Sequence, residues 1–125
     1  MNVVDSSGWL SYFANEPSAD FFAAAIRDFE TLLVPSITLT EVFKAVVRQR
    51  DEHAAAEVIA QMQRGRVIEL DAPLAVEAAA CGLQHRLPLA DSIIYATARQ
   101  YDAVLWTQDA DFRDLPGVRF FAGRI

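Results

Sequence analysis

Short β-prone runs alternate with segments of helical periodicity along this chain, and that alternation constrains the fold more than any other feature. The runs Asn2 to Asp5, Thr31 to Pro35, Arg66 to Leu70 and Ala103 to Thr107 have strand length, and Val118 to Phe121 offers a short fifth. After the first run, Ser18 stands where a helix cap belongs, ahead of Phe21, Phe22, Ala25, Ile26 and Phe29 at helical spacing. Thr38 opens a helix through Val42, Phe43, Val46 and Val47 to about Arg50, and Asp51 caps another that ends near Arg64, with Gly65 as its stop. Asp71 caps a further helix with Pro73 in its first turn, and after Leu87-Pro88 a last one carries Ile93, Ile94, Ala96 and Ala98. Each connection between strands is long enough for a crossover. The pattern therefore predicts an α/β domain with a mainly parallel sheet covered on both faces.

The 125 residues, 53% of them apolar, suit one compact domain spanning 1–125. Apolar runs such as Phe21 to Ile26 are far too short to span a bilayer, and the N-terminus lacks the basic start and long apolar stretch of a secretory signal. No membrane role is expected. Cys81 is the only cysteine, so no intrachain disulfide forms and the reducing cytoplasm is the expected compartment. Seventeen acids against 11 cations give a formal charge of -6, which excludes holding nucleic acid through the field of the whole molecule. Any nucleic-acid role must be local. All the cations except Lys44 are arginines, the better fork for phosphate, although codon usage rich in G and C gives the same composition.

In a parallel α/β sheet the functional crevice lies beyond the carboxyl ends of the strands, and acids are expected there. Asp5 ends the first run and Asp109 follows the fourth by two residues, while Glu41 and Asp91 fall in the first turns of helices that start at the same edge. Four converging carboxylates repel one another toward the neutral form unless a cation offsets them. An all-acid set without His or Cys is a site for a hard ion, Mg²⁺ or Mn²⁺, able to activate water and stabilise a leaving oxygen on phosphorus. Each acid also has a purely structural explanation. Thr38-x-x-Glu41 fits a capping box, Asp91 suits a helix dipole, Asp5 a cap, and Asp109 and Asp111 a turn. His53 and His85 have no metal-ligand spacing, and Cys81 lies on an alanine-rich face as a small core residue.

The acids sit in four ordered motifs: Val3-Val4-Asp5-Ser6-Ser7 with Trp9-Leu10; Pro35 to Val42 around Glu41; Leu87-Pro88-Leu89-Ala90-Asp91-Ser92 onward to Ala98; and Leu105-Trp106-Thr107-Gln108-Asp109-Ala110-Asp111-Phe112. Together these resemble the PIN-domain nucleases, and within them the VapC-type toxins of toxin-antitoxin modules. The resemblance implies a three-layer α/β/α fold and a metal-dependent endoribonuclease. Asp5, Glu41, Asp91 and Asp109 would form its Mg²⁺ or Mn²⁺ site, with Ser7 and Thr107 orienting carboxylates and Asp111 an occasional extra ligand. It also implies an RNA substrate, a cognate antitoxin and a homodimer. The aromatic N-terminal region, Trp9, Tyr12, Phe13, Phe21 and Phe22, offers either core stripes or a groove for an antitoxin helix. A helical turn starting at Ala110 keeps Asp109 at the strand end and is expected to carry Asp111 toward the rim.

Two other classes compete. A phosphorylatable receiver domain has a similar size and acidic edge, but needs paired acids after the first strand and a late lysine, whereas the sole lysine is Lys44. A dehalogenase-type phosphatase needs a second Asp where Ser7 stands. A PIN domain kept only for binding is the third alternative, and the complete acid set argues against it.

Overall fold

The computed structural model describes residues 1–123. Five strands are present, β1 (Asn2–Val4), β2 (Leu32–Pro35), β3 (Arg66–Ile68), β4 (Val104–Thr107) and β5 (Val118–Phe120). They form one sheet in the order β3-β2-β1-β4-β5, with every neighbouring pair parallel. Six helices connect them: α1 (Ser6–Phe13), α2 (Ala19–Ile26), α3 (Ser36–Gln49), α4 (Glu52–Met62), α5 (Ala72–His85) and α6 (Leu89–Gln100). Two 3-10 turns lie at Phe29–Thr31 and Ala110–Phe112. This is the three-layer α/β/α arrangement. Among the described residues no helix is long and apolar enough to cross a membrane.

Successive strand residues point to opposite faces, so each buried strand feeds two cores. Val3, Leu33 and Leu105 pack with Ile94, Tyr95 and Phe112 on the face covered by α5 and α6. Val4, Leu32, Val34 and Trp106 pack on the other face with Trp9, Phe22, Val42 and Met62 from α1 to α4. Trp9 and Phe22 are therefore core, while Tyr12, Phe13 and Phe21 are only partly covered. The strand order also separates two of the competing folds. A receiver-type sheet runs 2-1-3-4-5 and flanks its first strand with the third; here β1 lies between β2 and β4.

Several element boundaries differ from the sequence expectation. β1 stops at Val4 because Asp5 already caps α1, accepting from the Gly8 amide at 2.9 Å. Gly8 in turn lets α2 approach closely, since a Cβ there would lie 2.7 Å from Phe22 and Val4 side-chain atoms. Ser18 precedes α2 but makes no capping bond; its hydroxyl pairs with that of Ser11. Asp51 and Asp71 do cap α4 and α5, accepting from Ala54 and Leu74 amides at 2.7 and 2.9 Å. Helix α4 ends at Met62, and Gly65 serves close packing against Leu32 and Val34.

The largest correction concerns α3, which begins at Ser36 directly after β2 rather than at Thr38. The expected Thr38–Glu41 capping box is absent. Thr38 instead donates to the Pro35 carbonyl at 2.7 Å, and Glu41 falls in the second helical turn.

Candidate metal centre

The carboxyl ends of β1 and β4 lie side by side, with Val4 in register with Trp106 and the Asp5 amide donating to the Trp106 carbonyl at 3.2 Å. Asp5 is 2% exposed. Its Oδ2 accepts from the Thr107 hydroxyl at 2.6 Å, and the Ser7 hydroxyl reaches both carboxylate oxygens at 2.9 and 3.0 Å. These bonds favour the charged form, but burial outweighs them and pushes the carboxyl from 3.8 up to about 6, with Asp109 adding repulsion. Ser7 and Thr107 thus both donate to the Asp5 carboxylate.

Thr107 works in two directions. While donating to Asp5, its Oγ1 accepts the Asp109 amide at 2.9 Å, tying the β4 exit loop to the Asp5 carboxylate. Asp109 then caps the turn at Ala110–Phe112, with its Oδ1 accepting from the Asp111 amide at 2.9 Å. The turn expected at Ala110 forms and leaves Asp111 exposed, while the hydrogen bond from its amide to Asp109 keeps the two carboxylates close. Asp91, Asp109 and Asp111 each present an oxygen atom, all within 4.8 Å of one another.

Asp91 enters this group from the first turn of α6, near the start of that helix. Burial is the main cause that raises its carboxyl from 3.8 to about 7, followed by repulsion from Asp109, Asp111 and Asp5 and a hydrogen bond to Asp111. Glu41 stands apart from the three-carboxylate group. The Ser6 hydroxyl donates to its Oε1 at 2.6 Å, which joins α3 to the start of α1 beside Asp5. Sequence reasoning missed Ser6, and it also missed Gln108, whose side-chain amide donates to the Ser7 carbonyl at 3.3 Å. Ser6-Ser7 after a strand-end acid was the one available signal, as hydroxyls at a helix start commonly serve carboxylates.

The described residues bring together Asp5, Asp91, Asp109 and Asp111 electrostatically, with Glu41 linked through Ser6. No histidine or cysteine takes part. Such a donor set fits a hard divalent cation, which would offset the repulsion that lifts the Asp5 and Asp91 carboxyls.

A model of the PIN domain matches residues 3–118. The chain belongs to the PIN-domain family. Its acids thus occupy the carboxyl edge of a PIN sheet. Solved structures with a similar fold include a toxin-antitoxin complex from Klebsiella pneumoniae, 22% identical over 95% of this chain and 96% of that chain, TM-score 0.79. The Mycobacterium tuberculosis sarcin-ricin loop cleaving toxin VapC20 is 17% identical over the whole of both chains, with a TM-score of 0.76. FitAcB from Neisseria gonorrhoeae is 21% identical over 97% of each chain, TM-score 0.72. At these identities the likeness is one of fold. Among curated proteins no sequence matches this PIN domain significantly.

Proposed function

We propose that this PIN domain is a Mg²⁺- or Mn²⁺-dependent endoribonuclease acting in the cytoplasm as the toxin of a toxin-antitoxin module. The observation that carries this reading is the crowding of Asp91, Asp109 and Asp111 beside buried Asp5, an arrangement whose mutual repulsion a bound cation would relieve. Asp5, Asp91 and Asp109 would hold the ion, with exposed Asp111 as a further ligand. When bound, the ion lowers the pKa of an attacking water and neutralises charge on the scissile phosphate. Thr107 and Ser7 fix the Asp5 carboxylate against rotation, and Thr107 also sets the distance to Asp109. Glu41, held by Ser6 beside this centre, is the remaining candidate to take a proton from water.

The folds it resembles include toxin-antitoxin proteins, which supports the biological role. A cavity of about 140 Å³ between Leu10 and Phe13 of α1, Val46 of α3, and Ala54 and Val58 of α4, with Gln49 and Arg50 at its side, would take one apolar side chain of an antitoxin segment. A basic residue of that antitoxin would be drawn to the acidic edge. The homodimer is supported by α5, where Val76, Ala79, Ala80 and Leu83 form an exposed, uncharged stripe. A two-fold pairing of this helix sets Val76 opposite Leu83 and Ala79 opposite Ala80, so the stripe complements itself.

Total bacterial RNA incubated with the protein should be cut in Mn²⁺ or Mg²⁺ and left intact in EDTA, with 5'-phosphate and 3'-hydroxyl ends. Cutting in EDTA, or ends carrying 2',3'-cyclic phosphate, refutes the mechanism.

A further inference from the structure

Among the described residues no arginine forms an ion pair with a carboxylate; the sole pair is His53 with Glu57 at 3.9 Å. Five of the arginines lie on aromatic rings instead: Arg64 over Phe29, Arg66 over Tyr101, Arg99 over Tyr95, Arg113 over Phe120 and Arg119 over Trp106. One of these, Arg113, follows directly on the Ala110–Phe112 turn that carries Asp111, and its Cζ lies 5.1 Å from the Phe120 ring centroid. Phe120 is in register with Thr107, the residue that holds Asp5. Arg113 thus lies two residues along the chain from Asp111, on a ring in register with Thr107; it is exposed and forms no ion pair with a carboxylate.

We propose that Arg113 is a substrate-binding residue that grips an RNA phosphate next to the scissile one. The assignment rests on the nuclease reading above. A polyanion approaching a chain of net charge -6 must cross a repulsive field, and a cation at the edge of the acid cluster is where that field has to be offset. Stacking on Phe120 fixes the guanidinium plane, leaves its N–H groups free, and lowers the side-chain entropy lost on binding. Arginine's planar fork then matches a phosphate in a way that lysine does not. Arg119 supplies an internal control. It is stacked in the same manner, over Trp106, but strand alternation puts it on the opposite face of β5 from Phe120.

The test is steady-state cleavage, with Mn²⁺, of a labelled oligoribonucleotide spanning a cut site mapped in total RNA. Arg113→Gln should raise KM roughly tenfold with kcat within about twofold, the signature of lost ground-state binding. The salt dependence of kcat/KM should become shallower by about 0.7–1 in slope, one phosphate contact fewer. Arg113→Lys should lie between, and it carries the test if the Gln variant fails to fold; Arg119→Gln should leave KM and slope unchanged. The assignment is overturned if neither Arg113 variant moves KM or slope, if the loss is in kcat alone, or if Arg119→Gln matches Arg113→Gln. A wild-type protein that cuts no RNA refutes the nuclease reading itself, a result distinct from active protein indifferent to Arg113.

Discussion

Asp5 makes the sharpest prediction, because its carboxyl is buried and its proton affinity is shifted in a known direction. The folded-state value of about 6 exceeds the unfolded 3.8, so the native state binds the proton more tightly. The stability this confers is complete below the unfolded value and is lost as pH rises through about 6. Two units correspond to about 3 kcal/mol in all, of which roughly 1.4 kcal/mol is lost between about pH 5 and pH 8. For a chain of this length that is a fall in Tm of about 5 °C. Asp5→Asn retains an acceptor for the Gly8 amide but has no charge to bury, so it should not show this loss.

Thermal unfolding of both proteins in EDTA at about pH 5 and pH 8 reads the effect. Asp5 also repels Asp91, so its removal relieves part of the upward shift there and moves the difference in the same direction. The Tm of Asp5→Asn relative to wild type should rise by about 5 °C across that interval. Excess Mn²⁺ at the higher pH should restore wild type more than the variant, since the ion stabilises by mass action whichever state binds it better. A relative Tm that stays flat with pH would show that burial of this carboxylate carries no electrostatic cost, and the argument for a cation there would fall.

Three other outcomes follow from the geometry. Asp109→Asn should lose most cleavage at any practical Mg²⁺ concentration, whereas Asp111→Asn, exposed at the outer side, should lose less and recover with excess Mn²⁺; rates measured against metal concentration decide, and the reverse order refutes the ranking. Thr107→Val removes the donor to Asp5 and the acceptor for the Asp109 amide, so denaturant unfolding should show a loss of about 2 kcal/mol or more, and an unchanged midpoint would mean that water replaces both bonds. Leu83→Glu places like charges across the proposed two-fold and should give a monomer in analytical ultracentrifugation; an unaltered dimer moves the interface off α5.

Local signals were legible and long-range ones were not. The strands and the helices other than α1 were visible because each carries its own periodicity, and the Asp51 and Asp71 caps because cap and amide are three residues apart. Helix α3 was misjudged by a local signal of the same kind. Thr38 and Glu41 have the spacing of a capping box, but Pro35 ends β2 and begins the helix with no loop between, so the box falls inside it. Glu41 is then free to meet Ser6, 35 residues away, a contact that no local pattern encodes. The turn at Ala110 was legible, whereas the bond from the Asp111 amide that keeps its exposed carboxylate near Asp109 was not. Strand order was likewise beyond periodicity, because placing β1 between β2 and β4 depends on how the crossovers pass over the sheet.

The acids differ in how firmly they are held, and that difference bears on how the centre works. Asp5 is buried and fixed by Ser7, Gly8 and Thr107, so its oxygens cannot shift to suit a ligand. Asp111 is exposed, anchored by its own backbone amide and not through its carboxylate. On the proposed nuclease reading, a rigid inner acid would fix the position of a cation, while an outer one could adjust to an incoming phosphate. Keeping such a cluster costs stability in the absence of the ion, a cost that other parts of the fold offset. The buried alternation of Val3 and Val4, Leu32 and Leu33, and Leu105 and Trp106 on both faces of the sheet is where that stabilisation resides. The carboxyl edge is thereby left free to concentrate like charges that no core would tolerate.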